Sequence, residues 1–194
     1  MSYSPFPQPF EVSWQRLDGL GREQARLEKF DAGYGLSGVL NLEDDGVLSS
    51  FRYSIECDER FCTRVVRVEG EHGDRPFFLG LEADGLGHFG RKGIPAPEFD
   101  GVFDIDLGFT PFTNTLAIRR LNLEVGQKAE VRCAWLRYPE LHLEALEQIY
   151  ERQGSHLYLY RAFIDGEPFS AHLETDDFGV VLHFEGLWEA HPGR

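Results

Sequence analysis

The chain has 194 residues, 42% hydrophobic and 13% aromatic, with 16 Phe against a single Met, which is enough apolar surface for a rigid, ring-filled core and excludes wholesale disorder. A formal net charge of −14 repels nucleic acid and anionic membranes, and the densest basic pairs, Arg91-Lys92 and Arg119-Arg120, make no phosphate track. Residues 1–10 lack the basic and apolar regions of a secretory signal, no apolar run approaches the ~20 residues of a membrane helix, and three cysteines (Cys57, Cys62, Cys133) are an odd count for a disulfide framework. The expectation is one cytoplasmic domain, residues 1–194, with free thiols and no transmembrane segment.

Along the chain, Asp-Gly occurs five times, at Asp18-Gly19, Asp45-Gly46, Asp84-Gly85, Asp100-Gly101 and Asp165-Gly166. Both residues tolerate the positive φ that tight hairpins demand, so each pair predicts a hairpin corner. Glu23 to Phe30 reads as helix or strand. Phe51, Tyr53, Ile55 and Cys57 alternate with polar residues, as do Phe77, Leu79 and Leu81, and both runs predict strands. In Phe103 to Leu107 the apolar residues share one strand face, with Asp104 and Asp106 on the other.

Thr110 can cap a helix with Pro111 in its first turn, over 110–121. Glu140 to Gln153 is ambiguous. As a helix it aligns Leu143, Leu146, Ile149 and Tyr150; as a strand it puts Leu146, Gln148, Tyr150 and Arg152 on one face. After Gly154, Leu157, Leu159 and Phe163 face one way and Tyr158 and Tyr160 the other. A last turn is predicted at Asp176-Asp177-Phe178-Gly179.

Several motifs carry no chemistry. Gly85-Leu-Gly-His-Phe-Gly90 matches a dinucleotide fingerprint, but that fingerprint needs a helix to start at its glycines. Arg91 to Pro97, with another glycine and two prolines, cannot supply one. Seven histidines are scattered, Cys57 and Cys62 lack a second pair to complete a zinc site, and no nucleophile elbow is present. No catalytic residue, metal or cofactor is predicted. The aspartates remain: same-face neighbours about 7 Å apart can line an acidic pocket, or pair with Arg119 and Arg120 on a solvated strand.

Asp104-Ile-Asp106, Thr110-Pro-Phe-Thr-Asn-Thr-Leu116 and Ile118-Arg-Arg-Leu121 resemble the signature of the bacterial putative glycolipid-binding family, formerly a domain of unknown function. Tyr53 to Arg64, Leu81 to Gly87, Gln148-Ile-Tyr150, Tyr158-Leu-Tyr160 and Gly179 to Trp188 follow in the family's order, so the likeness spans nearly the whole chain. Family members often have Trp where this chain has His88-Phe89, and Pro where it has Ala117. The resemblance implies a mainly β fold, a many-stranded antiparallel spiral β-roll wrapped around a single α-helix, assembled as a homodimer. It selects 110–121 as that helix and makes 140–153 a long strand.

The function it implies is non-catalytic binding of a glycolipid or related sugar-containing amphiphile in an acidic pocket. The candidate ligand-binding residues are Asp104, Asp106, Asn114, Arg119, Arg64, Tyr150 and Tyr160. Two alternatives stand beside it: an enzyme acting on a sugar or glycolipid through the paired aspartates, and a structural or regulatory dimer without a small ligand.

Overall fold

Alternation along the strands sets the architecture, which a computed structural model describes for Tyr3 and residues 9–192. The stretch read above for a secretory signal lies mostly outside the described residues. The first half of the chain runs as a meander through β1 (Phe10–Arg16), β2 (Gly21–Phe30), β3 (Gly33–Asp44), β4 (Val47–Cys57), β5 (Thr63–His72), β6 (Arg75–Ala83) and the short β7 (Phe89–Arg91) and β8 (Ile94–Pro95). In β4, Phe51, Tyr53, Ile55 and Cys57 are buried while Arg52 and Glu56 are exposed. The ambiguous Glu23–Phe30 segment is strand: Ala25 and Leu27 point inward between exposed Gln24 and Arg26.

The second half contributes β9 (Asp104–Leu107), α1 (Asn114–Leu121), β10 (Lys128–Arg137), β11 (His142–Arg152), β12 (Leu157–Ile164), β13 (Glu167–Thr175), β14 (Val181–Phe184) and β15 (Trp188–Pro192). All strands join one 15-stranded sheet in the order β8 down to β1, then β15 down to β9. The two meanders meet at a seam where β1 and β15 run antiparallel, with Trp14 opposite Ala190.

Turn chemistry explains the corners. Asp45-Gly46 (φ 49° and 77°) and Asp165-Gly166 (φ 55° and 80°) adopt the doubly positive conformation of a two-residue hairpin. At the β13–β14 corner the Asp176 carboxylate accepts the Phe178 and Val180 amides, both at 2.9 Å. Asp100-Gly101 corrects the hairpin expectation. It links a 3-10 turn, Pro97–Phe99, to β9, and the Gly101 amide bonds the Gly87 carbonyl at 2.8 Å. β9 then pairs with β10 in parallel, the one departure from antiparallel pairing among the described strands. The fold is therefore a β-roll around a helix with one parallel edge.

That helix, α1, is enclosed, every residue from 111 to 118 being buried. It starts later than the capping signal implied. The Thr110 hydroxyl accepts the Phe112 amide at 3.0 Å, but residues 111–116 first wind through i→i+3 bonds, and the regular helix begins at Asn114. Asn122 closes it in the left-handed conformation, with Arg119 and Arg120 in its last turn, where cations suit the helix dipole. Phe112 packs on Trp14 with ring centroids 5.2 Å apart. Residues 142–152 are strand, with Leu146, Gln148, Tyr150 and Arg152 all buried against the helix side. On β12 the tyrosines face inward and Phe163 is exposed, because each tyrosine finds a partner for its hydroxyl inside.

Candidate functional site

The short edge strand β9 places both aspartates. Its amides alternate: those of Ile105 and Leu107 turn away from β10 and are caught by the hydroxyls of Thr63 (3.1 Å) and Thr113 (3.3 Å). Both carboxylates point toward α1, and there they separate. Asp104 is buried and held by Arg120 through two guanidinium nitrogens, Nε to Oδ1 at 2.9 Å and Nη2 to Oδ2 at 2.5 Å. The alternative pairing with Arg119 does not occur in this geometry. Arg119 donates to the Phe178 carbonyl at 3.0 Å and stands over the rings of Tyr3 and Phe61.

Among the described residues Asp106 accepts only from neutral donors, Gln148 Nε2 at 2.6 Å and Thr113 Oγ1 at 3.1 Å. Burial pushes its carboxyl up to about 6; the two hydrogen bonds oppose that and the charge of Asp104 adds to it. Gln148 Nε2 also donates to the Tyr160 hydroxyl at 2.9 Å, and Tyr150 donates to Asn114 Oδ1 at 2.8 Å. Asn114 Nδ2 in turn bonds the Pro111 carbonyl at 3.2 Å. A continuous polar layer therefore lies between the opening turn of α1 and the inner face of β11–β12.

This layer borders a cavity of about 150 Å³ with Asp106, Asn114 and Tyr160 on its polar side and Trp135, Phe184 and Trp188 among its walls. Asp106 keeps a small accessible surface there. Tyr160 meets Phe169 and Phe184 edge-on, each at 6.0 Å. Rings around a few fixed polar atoms can stack on the apolar face of a sugar ring and bond its hydroxyls.

Of the predicted site residues, the structure brings Asp106, Asn114 and Tyr160 to this cavity, with Tyr150 directly behind Asn114. Asp104 does not line this cavity and is locked to Arg120. Arg119 lines a different depression, about 530 Å³, at the far end of α1. Arg64 is exposed on β5, 4.0 Å from Asp58. Its guanidinium lies over Gly85, where a Cβ would stand 2.2 Å from Nη1. Gly85 and Gly87 take positive φ (73° and 101°) in the turn between β6 and β7, and a strand, β7, follows the run in place of the helix a dinucleotide site needs.

Sequence reasoning missed Gln148, Thr113, Trp135 and Trp188 as site residues. Gln148 was visible on the inward face of β11; Trp135 gave no signal.

A larger depression lies elsewhere, a furrow of about 690 Å³ on the outer face of β1–β6, bordered by Val39, Arg52, Arg67 and Phe78. Its arginines are exposed and sit opposite glutamates, Arg52 with Glu69 at 3.7 Å and Arg67 with Glu56 at 3.6 Å. Such pairs describe a solvated sheet face, so the smaller cavity, with its buried polar layer, is the stronger candidate. Among the described residues no group of three or more His, Cys, Asp or Glu is placed to hold a metal, and no helix is long and apolar enough to cross a membrane.

Comparison with known proteins agrees with this architecture. A search of curated proteins gives no match. The crystal structure of a DUF1089 family protein from Pseudomonas aeruginosa is 33% identical, covers 86% of this chain and 91% of its own, and superposes with a TM-score of 0.77. The sequence profile described as "Putative glycolipid-binding" matches residues 11–190. The chain belongs to that putative glycolipid-binding family.

Proposed function

We propose that the protein binds, without transforming it, a glycolipid or related sugar-containing amphiphile, and that the Asp106 cavity holds a sugar ring of its headgroup. The observation that carries this reading is one cavity joining a buried acceptor–amide–phenol layer to walls of Trp135, Phe184 and Trp188. At about 150 Å³ it is smaller than pockets for drug-sized ligands, so it suits a single ring, with the apolar part of the ligand outside. Asp106 is the one carboxyl among its described lining residues, whereas glycoside hydrolysis in its usual form takes two; that favours binding over turnover. Asp104 and Tyr150 act behind the site, fixing the strand and Asn114. A homodimer in a reducing cytoplasm belongs to the same reading, and the three buried, unpaired thiols support the compartment.

The test is a tryptophan-fluorescence titration with octyl glucoside below its micellar concentration. Saturable binding is expected in the wild type and a loss of about 10- to 100-fold in Asp106→Asn, the worth of a hydrogen bond to a charged group. Equal affinity in that variant, with an unchanged melting temperature, would count against the cavity.

A further inference from the structure

The Asp106 cavity is not isolated. A second cavity of about 240 Å³ abuts it, and the two share Gly108, Leu187 and Trp188 as a common rim. Gly108 is exposed at this saddle and contributes no side chain; a Cβ there would stand 2.8 Å from Trp135 Nε1 and 3.1 Å from the Leu136 carbonyl. The far side of the rim is built by Arg16, Asp18, Asp44 and Tyr138. Arg16 is clamped between the carboxylates of Asp44, at 2.8 Å, and Asp18. The Tyr138 hydroxyl lies 3.1 Å from Ser49 Oγ and also contacts Asp44. Burial, chiefly, pushes that hydroxyl up to about 12, so it remains a neutral donor and acceptor. Phe109 and Leu42, both buried, form the apolar floor, and Leu187, 42% exposed, stands on the rim.

We propose that this groove is a second subsite, taking a further neutral, hydroxyl-rich ring of the ligand held in the Asp106 cavity. The proposal rests on the sugar-binding reading of that cavity. Its chemistry argues from three features. Carboxylates fixed by a guanidinium keep lone pairs for sugar hydroxyls, while guanidinium and phenol donate to ring and hydroxyl oxygens. Two carboxylates against one arginine leave the groove negative, which disfavours a phosphorylated or carboxylated unit. The saddle between the cavities is bare backbone at Gly108 beside the Trp188 ring, so a glycosidic link can cross it. The headgroup class that fits is a neutral saccharide of at least two rings.

The experiment compares octyl glucoside, octyl maltoside and octyl phosphate, by calorimetry and tryptophan fluorescence, on the full chain below micellar concentrations. The two-ring glycoside is expected to bind at least about tenfold tighter than the one-ring glycoside, the gain of one or two hydrogen bonds to charged groups, and the phosphate weakest. Asp44→Asn should bring the two-ring affinity down to the one-ring level and leave the one-ring affinity as it was. Asp18→Asn, on an exposed turn, serves the same comparison should Asp44→Asn fold poorly. Equal affinity for one and two rings overturns the subsite and leaves the Asp106 reading standing. So does equal loss of both glycosides in the variants, or tightest binding of the phosphate. Failure of both glycosides to bind the wild type overturns both readings together.

Discussion

Asp104 and Asp106 sit two positions apart on the same strand, and their surroundings make them opposites. Asp104 neutralises a largely buried guanidinium; Asp106 is stabilised by an amide and a hydroxyl and holds its proton to about 6. Removing one partner of a buried ion pair leaves the other uncompensated, at about 3–5 kcal/mol. Asp104→Asn should therefore lower stability in urea melts by most of that amount, whereas Asp106→Asn, which removes a carboxyl ionised against burial at neutral pH, should not lower it. Comparable losses in both would show that Asp106 is structural as well. Glu23 adds a second buried acid: burial pushes it up to about 7, opposed by hydrogen bonds from Tyr53 (2.6 Å) and Thr110.

A carboxyl raised in the folded state takes its proton more readily there than in the unfolded chain. Its favourable contribution is full below the unfolded value, near 4.5, and is lost as pH rises through about 7. Glu23→Gln is accordingly expected to melt with the wild type near pH 4.5 and several degrees above it at pH 8, followed by calorimetry across that range. Which arginine meets Asp104 was not legible in the sequence. Neighbours on a helix diverge by 100°, and only the seating of α1 in the roll decides between Arg119 and Arg120.

At the scale of elements, hairpins were readable because their signal is local. Asp-Gly corners and alternating flanks both act within a few residues, and β3–β4 and β12–β13 form as their turns dictate. The 140–153 segment was not decidable locally, since its apolar residues satisfy both periods; pairing with β10 and β12 on either side makes it strand. The partners of β9 were least legible, because its parallel pairing with β10 and its closure against β5 join segments more than twenty residues away across the helix or the preceding meander. An edge strand with bare amides invites association, and here Thr63 and Thr113 hydroxyls cover the two outward donors. Thr63→Val should cost about 1–3 kcal/mol, the price of an unsatisfied buried donor, and accelerate hydrogen exchange at Ile105. Unchanged protection there would mean the hydroxyl is dispensable to the edge.

Over the whole molecule, two meanders of local hairpins are joined strand to strand at the β1–β15 seam, which pairs Trp14 with Ala190. Every described residue lining the Asp106 cavity comes from the second meander. The Arg16–Asp44 groove takes residues from both. Contacts so distant in sequence cost the most chain entropy before they return any stability, so seam closure belongs late in folding. Val12→Ala, on the seam, is expected to speed unfolding with little change in refolding rate. Val68→Ala, inside the β4–β6 meander, should slow refolding instead; stopped-flow chevrons separate the two, and the reverse pattern would place the seam in the nucleus. The seam therefore governs lifetime. Interactions formed after the barrier set how long a folded molecule persists, and the event that locks this roll also assembles the groove beside the cavity.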